Sequence, residues 1–335
     1  MRRLGIVLAS AFSLASGQAF AWWDMGHKEI AALAYGKLTP AVHAKVDGLI
    51  KHHLAYPLWI KGMEGLPADE VAQAAFVNAA VWADDIKAEL SCRTLGAPGC
   101  YQGGSDDPVG SPQASRNLGT VDHLIHDYWH YFDIPFSQDG TQTKGSPAVN
   151  ALSQIKVLPA ALSDPKSSED LKSFDLVWLL HLLGDAHQPL HATQRFSKDL
   201  PDGDRGGNGE LVDIGLADDP SQHAVWDGML GDSGPASAAI AAAATLPPAD
   251  PTAAETSDPQ RWFEEGFEIA KKDVYASEIG PGKGPYRLSA GYLANARTVA
   301  QARAAVPGAR LANLINGALK WIVEGLIPPT SSGTI

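Results

Sequence analysis

The chain reads as all-α, a single multi-helix domain with long surface loops. Two observations predict this. Apolar residues recur at three- and four-residue intervals along eight stretches, and between them no apolar/polar alternation runs far enough to build a large sheet. The stretches are 29–38, 41–54, 69–90, 146–162, 171–186, 259–274, 287–305 and 307–325. Thr39-Pro40 reads as a cap with proline at the first helical position, opening 41–54, and Ser173 reads as a cap within reach of 171–186. Residues 91–118, 196–209 and 231–258 read as surface loops. The last is rich in Ala, Pro, Ser and Asp and is expected to be an insertion with a short helix, because helical patterning resumes in the same style after it. No internal repeat is seen.

A chain of 335 residues, 45% hydrophobic and 19% charged, has material for a proper buried core. Residues 1–21 read as a secretory leader: Arg2 and Arg3, an apolar run over 4–15, and an Ala19-Phe20-Ala21 cleavage site. The run is shorter than the roughly 20 residues of a spanning helix, and no later segment is long enough. The expectation is therefore an exported protein, periplasmic or secreted, with no stable membrane association and one domain over 22–330. Cys92 and Cys100, eight positions apart in SCRTLGAPGC, can persist as a disulfide in an exported protein. Closing so small a loop contributes roughly 2–3 kcal/mol. Cysteine metal ligation is the weaker alternative, since no C-x-x-C pair exists. Losing the leader removes two arginines and takes the formal net charge from −12 to −14, which argues against the basic footprint of a tight duplex-DNA binder. If phosphodiesters are bound, metal must supply the positive charge locally.

The eleven histidines stand mostly in clusters with aspartates. In VWLLHLLGDAHQPLH, a helix running to Pro189 puts His181 and Asp185 one turn apart on the same face, able to bind one ion together. His191, past the proline, is free to turn toward another ion. A lone His–Asp pair is more often a buried hydrogen bond, but further clusters follow. His223 and Asp227 repeat the spacing in HAVWD, VDHLIHDYWHYFDIP holds His123, His126, His130 and Asp133, and VWADDIK holds Asp84. His27 stands five residues after Trp22, whose amine and carbonyl could chelate a metal once the leader is cut.

These residues resemble the zinc-dependent single-strand-specific nucleases, the S-one/P-one or type I nucleases, which share their fold with bacterial zinc phospholipase C. The matching motifs are W-x4-H from Trp22, W-A-D from Trp82, H-Y-F-D-I-P from His130, H-L-L-G-D-A-H-Q-P-L-H from His181, R-G-G-N from Arg205 and H-A-V-W-D from His223. Trp262 with Glu265, and G-A-R-L-A from Gly308, resemble the family's C-terminal helices. The resemblance implies three Zn2+ ions. One would sit between Asp84, His130, His181 and the bridging Asp185, one on Asp185, His27 and Trp22, and one on His191, His223 and Asp227. Asp85 competes with Asp84, which is preferred for following Trp82-Ala83 directly. His187, His126 and His123 are read as supporting or structural, and His43, His52 and His53 as ordinary surface residues.

The implied activity is hydrolysis of single-stranded DNA and RNA to 5′-phosphorylated products, with 3′-nucleotidase action on mononucleotides, by a monomer. Asp84 and Asp185 would be catalytic as metal holders. Lys87, three residues after Asp84, could reach the phosphoryl group or be a solvated surface lysine. Asn208, in the Gly-rich loop, is a candidate substrate contact, although such loops often only turn. The nearest rival is a phospholipase C on the same metals; against it, the last ligand motif ends in Asp227 where the phospholipases resemble one another in using Glu. A zinc-storage protein would favour flexible His-rich tracts, and a zinc protease needs an H-E-x-x-H helix that His27-Lys28-Glu29 does not supply.

Overall fold

The computed structural model describes residues 22–87 and 119–323. The leader and the loop with Cys92 and Cys100 lie outside the described residues. In chain order the helices are α1 (Asp24–Tyr35), α2 (Pro40–Ile50), α3 (Tyr56–Trp59), α4 (Ala68–Ala79), α5 (Trp82–Asp85), α6 (Ala151–Val157), α7 (Pro159–Ser163), α8 (Glu169–Asp185), α9 (Gln222–Asp227), α10 (Ala236–Ala243), α11 (Pro251–Glu255), α12 (Pro259–Ile269) and α13 (Ala290–Val323). A 3₁₀ turn, Asp127–His130, precedes the strand β1 (Ile134–Ser137), and a second, Pro189–His191, precedes β2 (Thr193–Phe196). Two short strands complete the set, β3 (Val212–Asp213) and β4 (Tyr286–Arg287). The all-α expectation holds.

α8 is the centre. It is mostly apolar and buried from Leu171 to Asp185, as suits a helix inside a helical assembly. It packs against α1, α2, α5, α6, α7 and α13, while α1 is held by α13, α10 and α4. Its start differs from the sequence expectation. Ser168 is the N-cap, its Oγ accepting from the Leu171 N–H at 3.2 Å, and Glu169 and Asp170 complement the helix dipole. Ser173 lies inside the helix, buried.

Other boundaries also depart from the periodicity. The stretch 69–90 breaks after Ala79, and α5 starts afresh at Trp82. The stretch 146–162 opens with a capping box between Asn150 and Ser153 and divides at Leu158, before Pro159. The last two stretches form one helix, α13, that runs through Pro307. Proline removes one helical donor, but the buried side chains Ala304, Ala305, Leu311, Ala312 and Ile315 keep this face docked on both sides of it. Gly308 then permits close approach: a Cβ there would stand 2.5 Å from Leu33 Cβ in α1. The 231–258 insertion holds two helices, α10 and α11.

β1 and β2 pair in parallel, Ile134 opposite Thr193 through Ser137 opposite Phe196. The pairing begins upstream, where the Phe132 and Ile134 N–H groups donate to His191 O and Ala192 O at 3.0 and 3.1 Å. The small sheet thereby staples the segment ending at His130 to the segment ending at His191.

Candidate metal centre

α8 projects His181 and Asp185 from one face, both fully buried. The His181 ring is oriented from behind: Nδ1 lies 2.8 Å from Ala80 O. That acceptor is free because of the break between α4 and α5, where the Asp84 N–H donates to Val81 O rather than one residue further back. With Nδ1 donating, the Nε2 lone pair faces His130 Nδ1 at 3.1 Å, Asp185 Oδ2 at 3.3 Å and Asp84 Oδ1 at 3.5 Å. His130 Nδ1 lies 3.0 Å from Asp185 Oδ2.

His27 enters from α1, stacked on His181 with ring centroids 3.9 Å apart, its Nε2 3.4 Å from Asp185 Oδ1. Gly184 makes this possible, since a Cβ there would lie 2.5 Å from His27 Nδ1. Trp22 is fully buried just ahead of this turn, and the Trp23 N–H donates to Asp227 O at 3.1 Å.

The other group is built on backbone carbonyls. His191 Nδ1 sits 2.6 Å from His130 O, and His223 Nδ1 sits 2.6 Å from Gly206 O. Both Nε2 atoms then face each other at 3.2 Å, with Asp227 Oδ2 3.3 Å from that of His223. The Gln188 amide donates to Asp227 Oδ1 at 2.6 Å.

Among the described residues, three groups of ligand atoms therefore converge: His27, His181 and Asp185; Asp84, His130 and His181; and His191, His223 and Asp227. Asp84 joins its group while Asp85 faces solvent. Both Nδ1 atoms of the His191/His223 pair lie against carbonyls, which turns both Nε2 atoms toward each other and toward the Asp227 carboxylate. A cation held there makes that arrangement favourable. Burial pushes the His27, His130 and His191 imidazoles well below their usual range, so they are neutral and able to ligate. Burial likewise raises Asp227. His181 titrates upward: burial opposes this, but Asp185 and Asp84 flank it and prevail. The charge deficit that draws a proton there also draws a metal. Imidazole and carboxylate without thiolate suit zinc and similar borderline divalent ions.

Lys87 places its ammonium 2.9 Å from Asp84 Oδ1 and is nearly buried, so it is no solvated surface lysine. Asn208 donates from Nδ2 to Arg205 O at 2.9 Å, closing its own loop. That loop does more than turn, because its Gly206 carbonyl orients His223, a link that the G-G signature does not reveal. A second support was also hidden. His187 donates from Nδ1 to Leu183 O at 2.8 Å and meets Arg310 Nη1 at 2.7 Å through Nε2. Arg303 donates to His187 O, and Glu265 receives both arginines. This clamp fixes the turn between Asp185 and His191. His126 is buried against Trp129. His53, read as a surface residue, is buried between Trp59 and Trp82. Cys92 and Cys100 fall outside the described residues. A surface groove along Phe132, Pro135, Gln260, Arg261 and Phe267 shares none of the candidate ligands.

Three buried His/Asp groups of converging ligand atoms define a candidate multinuclear metal centre. Residues 22–320 match the S1/P1 Nuclease family model, and the chain belongs to the S1/P1 nuclease family. It is thus a metal-dependent nuclease, a phosphodiester hydrolase, by family. No curated protein matches the chain. Among the described residues, no helix is long and apolar enough to cross a membrane.

Proposed function

We propose that the protein is an exported, zinc-dependent endonuclease that cuts single-stranded DNA and RNA to 5′-phosphorylated products and removes phosphate from 3′-mononucleotides. The observation that carries the reading is the convergence of three sets of ligand atoms, His191/His223/Asp227 beside two further groups that share His181. Asp84, His130, His181 and Asp185 would hold one zinc. Asp185, His27 and the freed amine and carbonyl of Trp22 would hold the second, after cleavage behind Ala21. His191, His223 and Asp227 would hold the third. Bound zinc supplies Lewis acidity and lowers the pKa of water toward neutrality.

The chain's own groups do the rest. Asp185 would tie two of the ion positions together, and the Arg303/Arg310 clamp on His187 holds the turn that follows it. The Lys87 ammonium, already 2.9 Å from Asp84, supplies charge to the phosphoryl group as it reacts. Asn208 contacts the substrate from the loop rim. A base drawn out of its stack is more accessible in a single strand than in a duplex, which gives the strand preference. Cys92 and Cys100 form a disulfide, and the enzyme acts as a monomer without stable membrane association.

Chromatographic product analysis tests this. Signal-cleaved protein is incubated with single-stranded DNA in zinc-replete buffer and with a chelator. Zinc-dependent release of 5′-mononucleotides is expected. No release, together with zinc-dependent hydrolysis of a phospholipid headgroup ester, would sink the nuclease reading in favour of a phospholipase on the same ligands.

A further inference from the structure

Arg195 lies in β2, four residues past His191, and its side chain supplies no ligand atom to the centre. It is fully buried, as are Asp204 and Glu210. The guanidinium donates from Nε to Glu210 Oε1 at 2.7 Å, with Nη2 on the same oxygen. Nη1 donates to Gly280 O at 2.5 Å and Nη2 to Gly282 O at 3.2 Å. The Arg195 backbone is engaged as well. Its N–H donates to Asp204 Oδ1 at 2.8 Å, and its carbonyl accepts from the Asp204 N–H at 2.9 Å. The Tyr275 hydroxyl donates to the other Asp204 oxygen at 2.5 Å.

Both ends of the 204–210 loop are therefore tied to one residue, the start to the Arg195 backbone and the end to its side chain. Between the ties lies the mount of His223. Its Nδ1 sits 2.6 Å from Gly206 O, and Glu210 O accepts at 2.8 Å from the N–H of Gln222, the residue before it in α9. Gly206 is itself pressed against the residue beside His191, since a Cβ there would run into the Leu190 carbonyl. Arg195 thus couples the strand that leaves His191 to the loop that orients His223. Apolar residues often replace a buried ion pair with no loss of stability, so stability alone gives little reason for this one. The spacing of two ligands from separate segments gives a reason.

We infer that Arg195 is a positioning residue for the ion of the His191/His223/Asp227 group, fixing the two histidines relative to each other without touching the metal. The inference rests on the proposed zinc at that group.

The test is zinc retained by signal-cleaved protein after equilibration against a graded chelator series, measured by mass spectrometry. Wild type, R195M/E210Q, H223A and the combination of all three substitutions are compared. R195M/E210Q removes both partners of the pair and strands no charge. It is expected to weaken one zinc about 10- to 100-fold, the cost typical of disturbing a ligand's support, and to leave the rest as in wild type. Its melting in excess chelator should stay close to that of wild type. H223A should lose the same ion, so adding R195M/E210Q to it should release no further zinc. Y275F, which deletes one oxygen from the network, should weaken the same ion less, and it decides the matter if R195M/E210Q does not fold. Zinc held as tightly as in wild type by R195M/E210Q, or in its place by Y275F, overturns the inference. So does an equal weakening of every zinc, or a further loss on top of H223A, since either marks a role in folding alone. Wild type that retains no zinc overturns the zinc reading with it, whereas a zinc-loaded wild type matched by R195M/E210Q removes this inference alone.

Discussion

At the scale of single residues, the centre depends on atoms that are missing as much as on ligands. Gly184 is the sharpest case. His27 comes from α1 and must reach Asp185 in α8, and its ring passes where any larger residue at 184 would project, 2.5 Å from the Cβ position. Neither neighbour can give way freely, since His27 is stacked on His181 and both rings are fully buried. G184A is therefore expected to displace His27 while leaving the α8 backbone helical, because alanine is the better helix former. Metal affinity at that position should fall roughly 10- to 100-fold, the cost typical of disturbing a ligand's support. Zinc content by mass spectrometry, with far-ultraviolet circular dichroism as the fold control, checks this. Full zinc retention with unchanged hydrolysis would show that His27 is dispensable.

At the scale of elements, α8 carries the ligands at one end and an electrostatic burden in its middle. Asp175 is 2% exposed, and its Oδ1 has no hydrogen-bond partner. Burial alone pushes its carboxyl up to about 8. A carboxyl whose pKa rises on folding favours the native state while it is protonated. That contribution is complete below the unfolded value near pH 4 and is lost as pH climbs toward 8. D175N removes the penalty and is expected to raise stability by about 2 to 4 kcal/mol at pH 7. The gain over wild type should shrink as the pH is lowered to 5, as read by urea midpoints. A gain independent of pH would mean that Asp175 has found a partner. The same helix shows what periodicity can and cannot reveal. Its i, i+4 His181/Asp185 pair and its apolar run were legible in the sequence, as was the HAVWD pair of α9. The break that frees Ala80 O was not, because nothing in Asn78-Ala79-Ala80-Val81 marks a turn and the reason for it lies in His181, 101 positions away. The clamp on His187 was equally hidden, since Arg310 reaches it across 123 positions. Pro307 misled in the other direction, because tertiary packing carried a helix through a residue that ends most of them.

At the scale of the whole molecule, the proposed removal of the leader bears on the proposed ligand set. Trp22 is fully buried, its side chain lies against Gly26, and the Trp23 N–H is bonded to Asp227 O. These contacts involve side chains and a peptide N–H that are the same whether or not a residue precedes Trp22. Folding is therefore expected to be indifferent to the proposed cut. Metal binding is not, on the proposed ligand set, because a peptide nitrogen has no basic lone pair to offer and the free α-amine does. A chain that keeps a single extra residue ahead of Trp22 is expected to match the mature protein in helicity. It should hold about one zinc fewer and hydrolyse single strands at least about 100-fold more slowly, the order of loss that follows when a metal site is left incomplete. Because metal binds the native state only, its melting temperature in zinc should also lie below that of the mature protein, and the two should converge in chelator. Equal zinc content and equal activity in the extended chain would remove Trp22 from the ligand set. The His27–Asp185 group would then have to complete its shell from solvent, and the export step would lose its bearing on when the enzyme becomes active.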